Sequence, residues 1–266
     1  MRALVFDSGV GGLSVVSEIR KRLPELALDY AADDAFRPYG EKSPDQLRDR
    51  LPGLVRSLAD MTGADLVVIA CNTASVTALD AIRAVSGVPV VGVVPAVKPA
   101  ARRTRSGTIG VLGTPATIRQ SYVDELIADF ASDREVQRLG SVALVQIAED
   151  KLEGRAVDEA ALAREIAPLF EDPDLDTIVL ACTHFPLLET NLTAASPRPV
   201  TWVDSGEAIA RRVESLLRGI TKDGDPRPDT AFVMGESVSS ARRDTFAIFG
   251  FPCVVPLENR VQQPVE

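Results

Sequence analysis

Short apolar runs alternate with longer amphipathic segments along nearly all of the 266 residues, and few folds accept that pattern. Residues 4–6, 66–70, 88–94, 108–112, 142–147, 177–180 and 201–203 are apolar and short, and read as strands. Residues 13–23, 74–85, 118–130, 156–170 and 207–217 read as helices. In the first of these, Leu13, Val16, Ile19 and Leu23 recur at helical spacing. Residues 230–255 read as strand, helix, strand. Strands that are apolar throughout and alternate with helices predict parallel sheets covered on both faces. The expected fold class is α/β, with mostly parallel sheets flanked by helices.

Two similar halves are expected. Asp65 and Asp176 each stand six residues before a cysteine, followed by an apolar strand and then Ala-Cys, at Cys71 and Cys182. A second echo links 6–9 with 203–206. Pro and Gly cluster at 94–107 and 195–201, which marks these as candidate crossings between domains. The expected division is residues 1–96 plus 206–266 as a discontinuous first domain and 97–205 as a second, with the site in the cleft between them.

A formal net charge of −9 argues against a nucleic-acid partner. The densest basic stretch, 98–105, reads as a solvated face. No apolar run approaches the roughly 20 residues of a membrane helix, and residues 1–7 do not look like a secretory leader. The expected location is the cytoplasm. Three cysteines, an odd count without any C-x-x-C spacing, argue against a disulfide framework and a zinc site. Cys253, between Pro252 and Val254, reads as structural.

Cys71 and Cys182 each end a strand and are expected to precede a helix. Ligands of open α/β sheets bind at such carboxyl ends, and a helix N-terminus favours a thiolate. The segments Asp7-Ser8-Gly9, Asn72-Thr73, Gly113-Thr114 and Thr183-His184 add hydroxyls, an amide and backbone N–H groups that suit a small carboxylate. Taken singly, these residues have plainer readings. Asp7 could cap the helix at 13, Glu149 could face solvent, and Tyr39 and His184 could pack in a core.

Four ordered motifs are more specific: Phe-Asp-Ser-Gly-Val-Gly-Gly at 6–12, Pro-Tyr-Gly at 38–40, Cys-Asn-Thr-Ala at 71–74 and Cys-Thr-His-Phe-Pro at 182–186. Together they resemble the aspartate/glutamate racemase family, and Cys-Thr-His resembles its glutamate racemases. Ala181 replaces the glycine usual before that motif, a change of one methyl group.

The resemblance implies a cofactor-independent isomerase with no bound metal. One thiolate removes the Cα proton of glutamate and an opposing thiol returns one. Cys71 and Cys182 would be the pair, assisted by Asp7, His184 and Glu149. Ser8, Pro38, Tyr39, Gly40, Asn72, Thr73, Thr114, Thr117 and Thr183 would hold the substrate. It also implies a homodimer that supplies D-glutamate for peptidoglycan and cell shape. Regulation by a cell-wall nucleotide precursor is not expected, since the first strand begins within a few residues of Met1.

A cysteine hydrolase built on Cys182 and His184 is the rival from another class. Against it, residues two apart on a turn are expected not to face each other, and no orienting third group stands out.

Overall fold

The computed structural model describes residues 1–218 and 227–258. Lys222, which the sequence places in a polar segment, and the polar tail 260–266, whose composition predicts fraying, lie outside the described residues.

The strands are β1 (Arg2–Asp7), β2 (Ala27–Ala32), β3 (Leu66–Ile69), β4 (Val90–Gly92) and β5 (Thr108–Gly113). They continue with β6 (Glu135–Gly140), β7 (Leu175–Ala181), β8 (Thr201–Val203), β9 (Thr230–Met234) and β10 (Cys253–Leu257). The helices are α1 (Leu13–Arg22), α2 (Pro44–Thr62), α3 (Asn72–Val85), α4 (Val97–Arg103), α5 (Pro115–Ile118) and α6 (Ser121–Phe130). After them come α7 (Ala143–Leu152), α8 (Glu159–Ile166), α9 (Glu189–Ala195), α10 (Gly206–Leu217) and α11 (Ser240–Ile248).

Six strands form one sheet in the order β10-β9-β2-β1-β3-β4, and four form another in the order β6-β5-β7-β8. Every pairing is parallel. Within them, β2-β1-β3-β4 and β6-β5-β7-β8 have the same order, so the first echo, on β3 and β7, falls on equivalent strands. The second echo does not: it pairs β1 with β8, which occupy different places, and carries no trace of a repeat. Each sheet is covered on both faces. On one side of the larger sheet, α1 and α10 pack with Tyr30, Phe246 and Phe251; on the other, α2 and α3 cover it. The smaller sheet lies between two further clusters.

Several expected elements are corrected. Residues 142–147 are not a strand but the start of α7. Leu144 and Ala148, one turn apart, are its buried stripe, and the Ser141 hydroxyl accepts the Leu144 N–H. The strand in that region is β6, a polar edge strand whose half-exposed residues give no apolar run. The helix expected at 118–130 is divided between α5 and α6. Neither β2 nor α2 was anticipated, although α2 opens with a capping box between Ser43 and Gln46 and stops at Gly63, where φ is +62°. The second crossing also differs: 195–201 links α9 to β8 on the smaller-sheet side, and the chain returns through 204–206, where the Ser205 hydroxyl donates to the Val94 carbonyl.

Candidate active site

Cys71 and Cys182 line the same cavity, at the carboxyl ends of β3 and β7. Ser8, after β1, and Pro38, Tyr39 and Gly40, after β2, form part of its wall. Asn72, Thr73, Thr114, Thr183 and His184 supply the remaining walls anticipated from the sequence. Val142 and Val145 also line it. They were missed because their segment read as a strand; a helical stripe at 144 and 148 was the available signal. The cavity has a volume of about 20 Å³, room for a water molecule.

Three expected residues stand behind the wall. Asp7 is fully buried; one oxygen accepts the Ser8 N–H at 2.8 Å and the other the Gly12 N–H at 2.7 Å. Burial raises its carboxyl, while the His184 charge and the two amides pull it back. Glu149 is buried on α7 rather than facing solvent. Thr117 joins Thr73 and Thr114 in a triangle of buried hydroxyls, each pair 3.0 Å apart, which ties the α3 terminus to the β5–α5 turn.

The two thiols have different surroundings. Cys71 caps α3, and its sulfur donates to Ser8 Oγ at 3.8 Å. Burial pushes this thiol well above its ordinary value, and the Asp7 charge pushes the same way. The expected lowering by a helix N-terminus is therefore outweighed: desolvation of the thiolate exceeds the help of the Ala74 N–H. Cys182 precedes not an α-helix but a 3-10 turn, Phe185–Leu188. Its sulfur lies 3.8 Å from His184 Nδ1, and His184 Nε2 lies 2.8 Å from Glu149 Oε1.

Two arguments made against a hydrolase thus fail. The turn bends sharply enough for Cys182 and His184 to face each other, and Glu149 stands as the orienting third group. Burial works against a charged His184, but its bonds to Cys182 and Glu149 raise the imidazole well above its ordinary value. Burial would also raise Glu149, yet His184, Arg242 and Arg37 lower it to about 2.

Among the described residues, Asn72 Oδ1 is the buried side-chain polar atom without a hydrogen-bond partner, and it belongs to a residue of the cavity wall. An orphaned acceptor there suits a ligand that brings a donor. Tyr39 is held from behind: its hydroxyl donates to Asp33 at 2.6 Å, and Arg50 grips the same carboxylate with two nitrogens, at 2.6 and 2.7 Å. No group of His, Cys, Asp and Glu among the described residues is arranged to hold a metal ion.

Two matched parallel sheets with a shared cavity at their strand ends have the layout of an α/β enzyme that works from a cleft. The family model of Asp/Glu/hydantoin racemases matches residues 12–213, and the chain belongs to that family of isomerases. It is 49% identical over 225 residues to a glutamate racemase of Vibrio vulnificus, covering 85% of this chain and 84% of that one. A glutamate racemase of Sphingopyxis alaskensis is 51% identical over 219 residues, covering 81% and 82%. The crystal structure of Escherichia coli glutamate racemase in complex with L-glutamate and the activator UDP-MurNAc-ala superposes with a TM-score of 0.92. It shares 43% identity and covers 97% of this chain and 98% of that one. The expected family and fold class hold. No described helix is long and apolar enough to cross a membrane.

Proposed function

We propose that the chain interconverts L- and D-glutamate by proton transfer between Cα and two thiols, Cys71 and Cys182. The observation that carries this reading is the pair of buried cysteines on one small cavity, each with its own helper. One sulfur, as thiolate, takes the Cα proton. The other, as thiol, returns a proton to the opposite face, and the two exchange protonation states over a turnover. Asp7 and Ser8 serve Cys71; His184 and Glu149 serve Cys182.

The unpartnered Asn72 oxygen suits the substrate ammonium. Backbone N–H groups and the hydroxyls of Ser8, Thr73, Thr114 and Thr183 suit its carboxylates, with Thr117 fixing the threonine cluster. Pro38, Tyr39 and Gly40 close the cavity, and Val142 and Val145 offer apolar surface to the side-chain methylenes. The reaction as read draws on no cofactor. Glutamate is favoured over aspartate because the relatives above are glutamate racemases and one was crystallised with L-glutamate.

The proposed biological role is D-glutamate supply for peptidoglycan from the cytoplasm, with the chain as a homodimer. The proposed domains are 1–96 plus 206–266 and 97–205; the membership of strands in the two sheets supports that division.

Incubation with L-glutamate in heavy water tests the activity. Loss of optical rotation with deuterium at Cα is the expected result, with L-aspartate much slower. Unchanged rotation overturns the reading, and a covalent acyl-enzyme on Cys182 would favour the hydrolase. Cys71→Ser and Cys182→Ser should each lower racemisation by about two to four orders of magnitude, the usual worth of a positioned acid or base.

A further inference from the structure

Arg242, on α11, lies outside the span that matches the family model and outside every motif of the sequence. Its side chain is 5% exposed, and each of its three nitrogens meets a different carboxylate. Nη2 donates to Glu149 Oε2 at 2.6 Å, Nε to Glu153 at 2.8 Å and Nη1 to Asp34 at 3.2 Å. Glu149 divides its two oxygens. Oε1 accepts the Val10 N–H at 3.2 Å and meets His184; Oε2 accepts from Arg242 and, at 3.1 Å, from Arg37.

We propose that Arg242 is a positioning residue for the reaction: it keeps the Glu149 carboxylate ionised and turned to His184, and through His184 it orients the proton carrier beside Cys182. The inference rests on the acid–base role proposed for Cys182.

Arg37 is the other cation on Glu149, but its side chain is 36% exposed and it leads directly into the Pro38–Gly40 wall. Arg37 is thus the less enclosed of the two cations. Arg242 sits on α11, which is anchored at the end of α7: the hydroxyl of its N-cap Ser239 donates to Glu153 and that of Thr245 to the Leu152 carbonyl. Besides His184, the strongest partner of Glu149, and the two arginines, the charged groups around it are acidic: Asp7, Asp34, Asp150 and Glu153. Without Arg242, burial and these acids act to protonate Glu149 against His184 and the more exposed Arg37 alone.

His184 is the one histidine of the chain, so its imidazole N–H resonance needs no assignment. The parent protein should keep the Nε2–H signal on acidification as long as Glu149 stays ionised. In Arg242→Gln, that signal should vanish at a pH at least one unit higher. The acid limb of kcat/KM should move the same way, and kcat should fall about tenfold. Arg242→Lys should recover most of the loss. Should Arg242→Gln fail to fold, Arg242→Lys carries the test by a smaller shift in the same direction. An unshifted signal and limb in a folded variant overturn the proposal, as does a lysine variant no better than glutamine. The resonance is read without substrate, so it separates failure here from failure of the glutamate reading.

Discussion

Charge balance behind the cavity decides what individual residues can do. Glu149 has a folded value of about 2 against an ordinary 4.5. A depressed carboxyl stabilises the fold fully above its unfolded value and loses that contribution as pH falls through the folded one. The window runs from pH 4.5 down to about 2, and the shift corresponds to about 3 kcal/mol. Glu149→Gln should remove this slope. Urea midpoints measured between pH 7 and pH 3 should fall less steeply in the variant than in the parent. The motif residues on the cavity wall were legible because they sit within a few positions of strand ends, where α/β chemistry gathers. Arg242 and Arg37 were not, since they meet Glu149 across 93 and 112 residues of chain and no local spacing announces such a pairing.

Glycine lets the β1–α1 turn lie against the histidine. A Cβ at Gly11 would overlap the His184 ring, and one at Gly9 would overlap Glu149. Gly11 does not have a positive φ, so alanine is acceptable to the backbone there, and the effect of Gly11→Ala falls on the ring. The ring must leave its present place beside Cys182 and Glu149. A displacement of about 1 Å at a catalytic group can cost on the order of a hundredfold. The expected outcome is a kcat lower by about 10- to 100-fold, with a melting temperature lower by several degrees, since overpacking a buried site costs about 1–3 kcal/mol. Elements whose apolar residues recur with a clear period, such as α1, α10 and β3, were readable from sequence. The edge strand β6 was not, because half its surface meets solvent, and α7 was misread because a window of six residues at 142–147 does not separate a helical stripe from a buried strand.

The two sheets share a strand order, and each places a cysteine after its equivalent third strand, β3 and β7. The sequence showed this duplication through the Asp and Cys spacing, while the Pro and Gly cluster at 195–201 marked a link between α9 and β8 rather than a passage between the sheets. A cavity of about 20 Å³ joins the halves, and a bound amino acid would contact both. Ligand and fold should therefore be linked. At a glutamate concentration a hundred times its Kd, the gain is about 2.7 kcal/mol. Thermal unfolding should shift upward by about 5 °C or more with either enantiomer of glutamate. The absence of any shift with both would count against a shared site.

The unlike company of the two sulfurs, a carboxylate beside one and an imidazole beside the other, has a thermodynamic consequence. Enantiomers in water have equal free energy, so on the racemase reading kcat/KM must be identical from either hand. The lopsided wiring is forbidden from acting as a ratchet. It can only trade affinity against turnover, holding one hand tightly and slowly and the other loosely and fast, and no substitution behind either sulfur can make the traffic one-way.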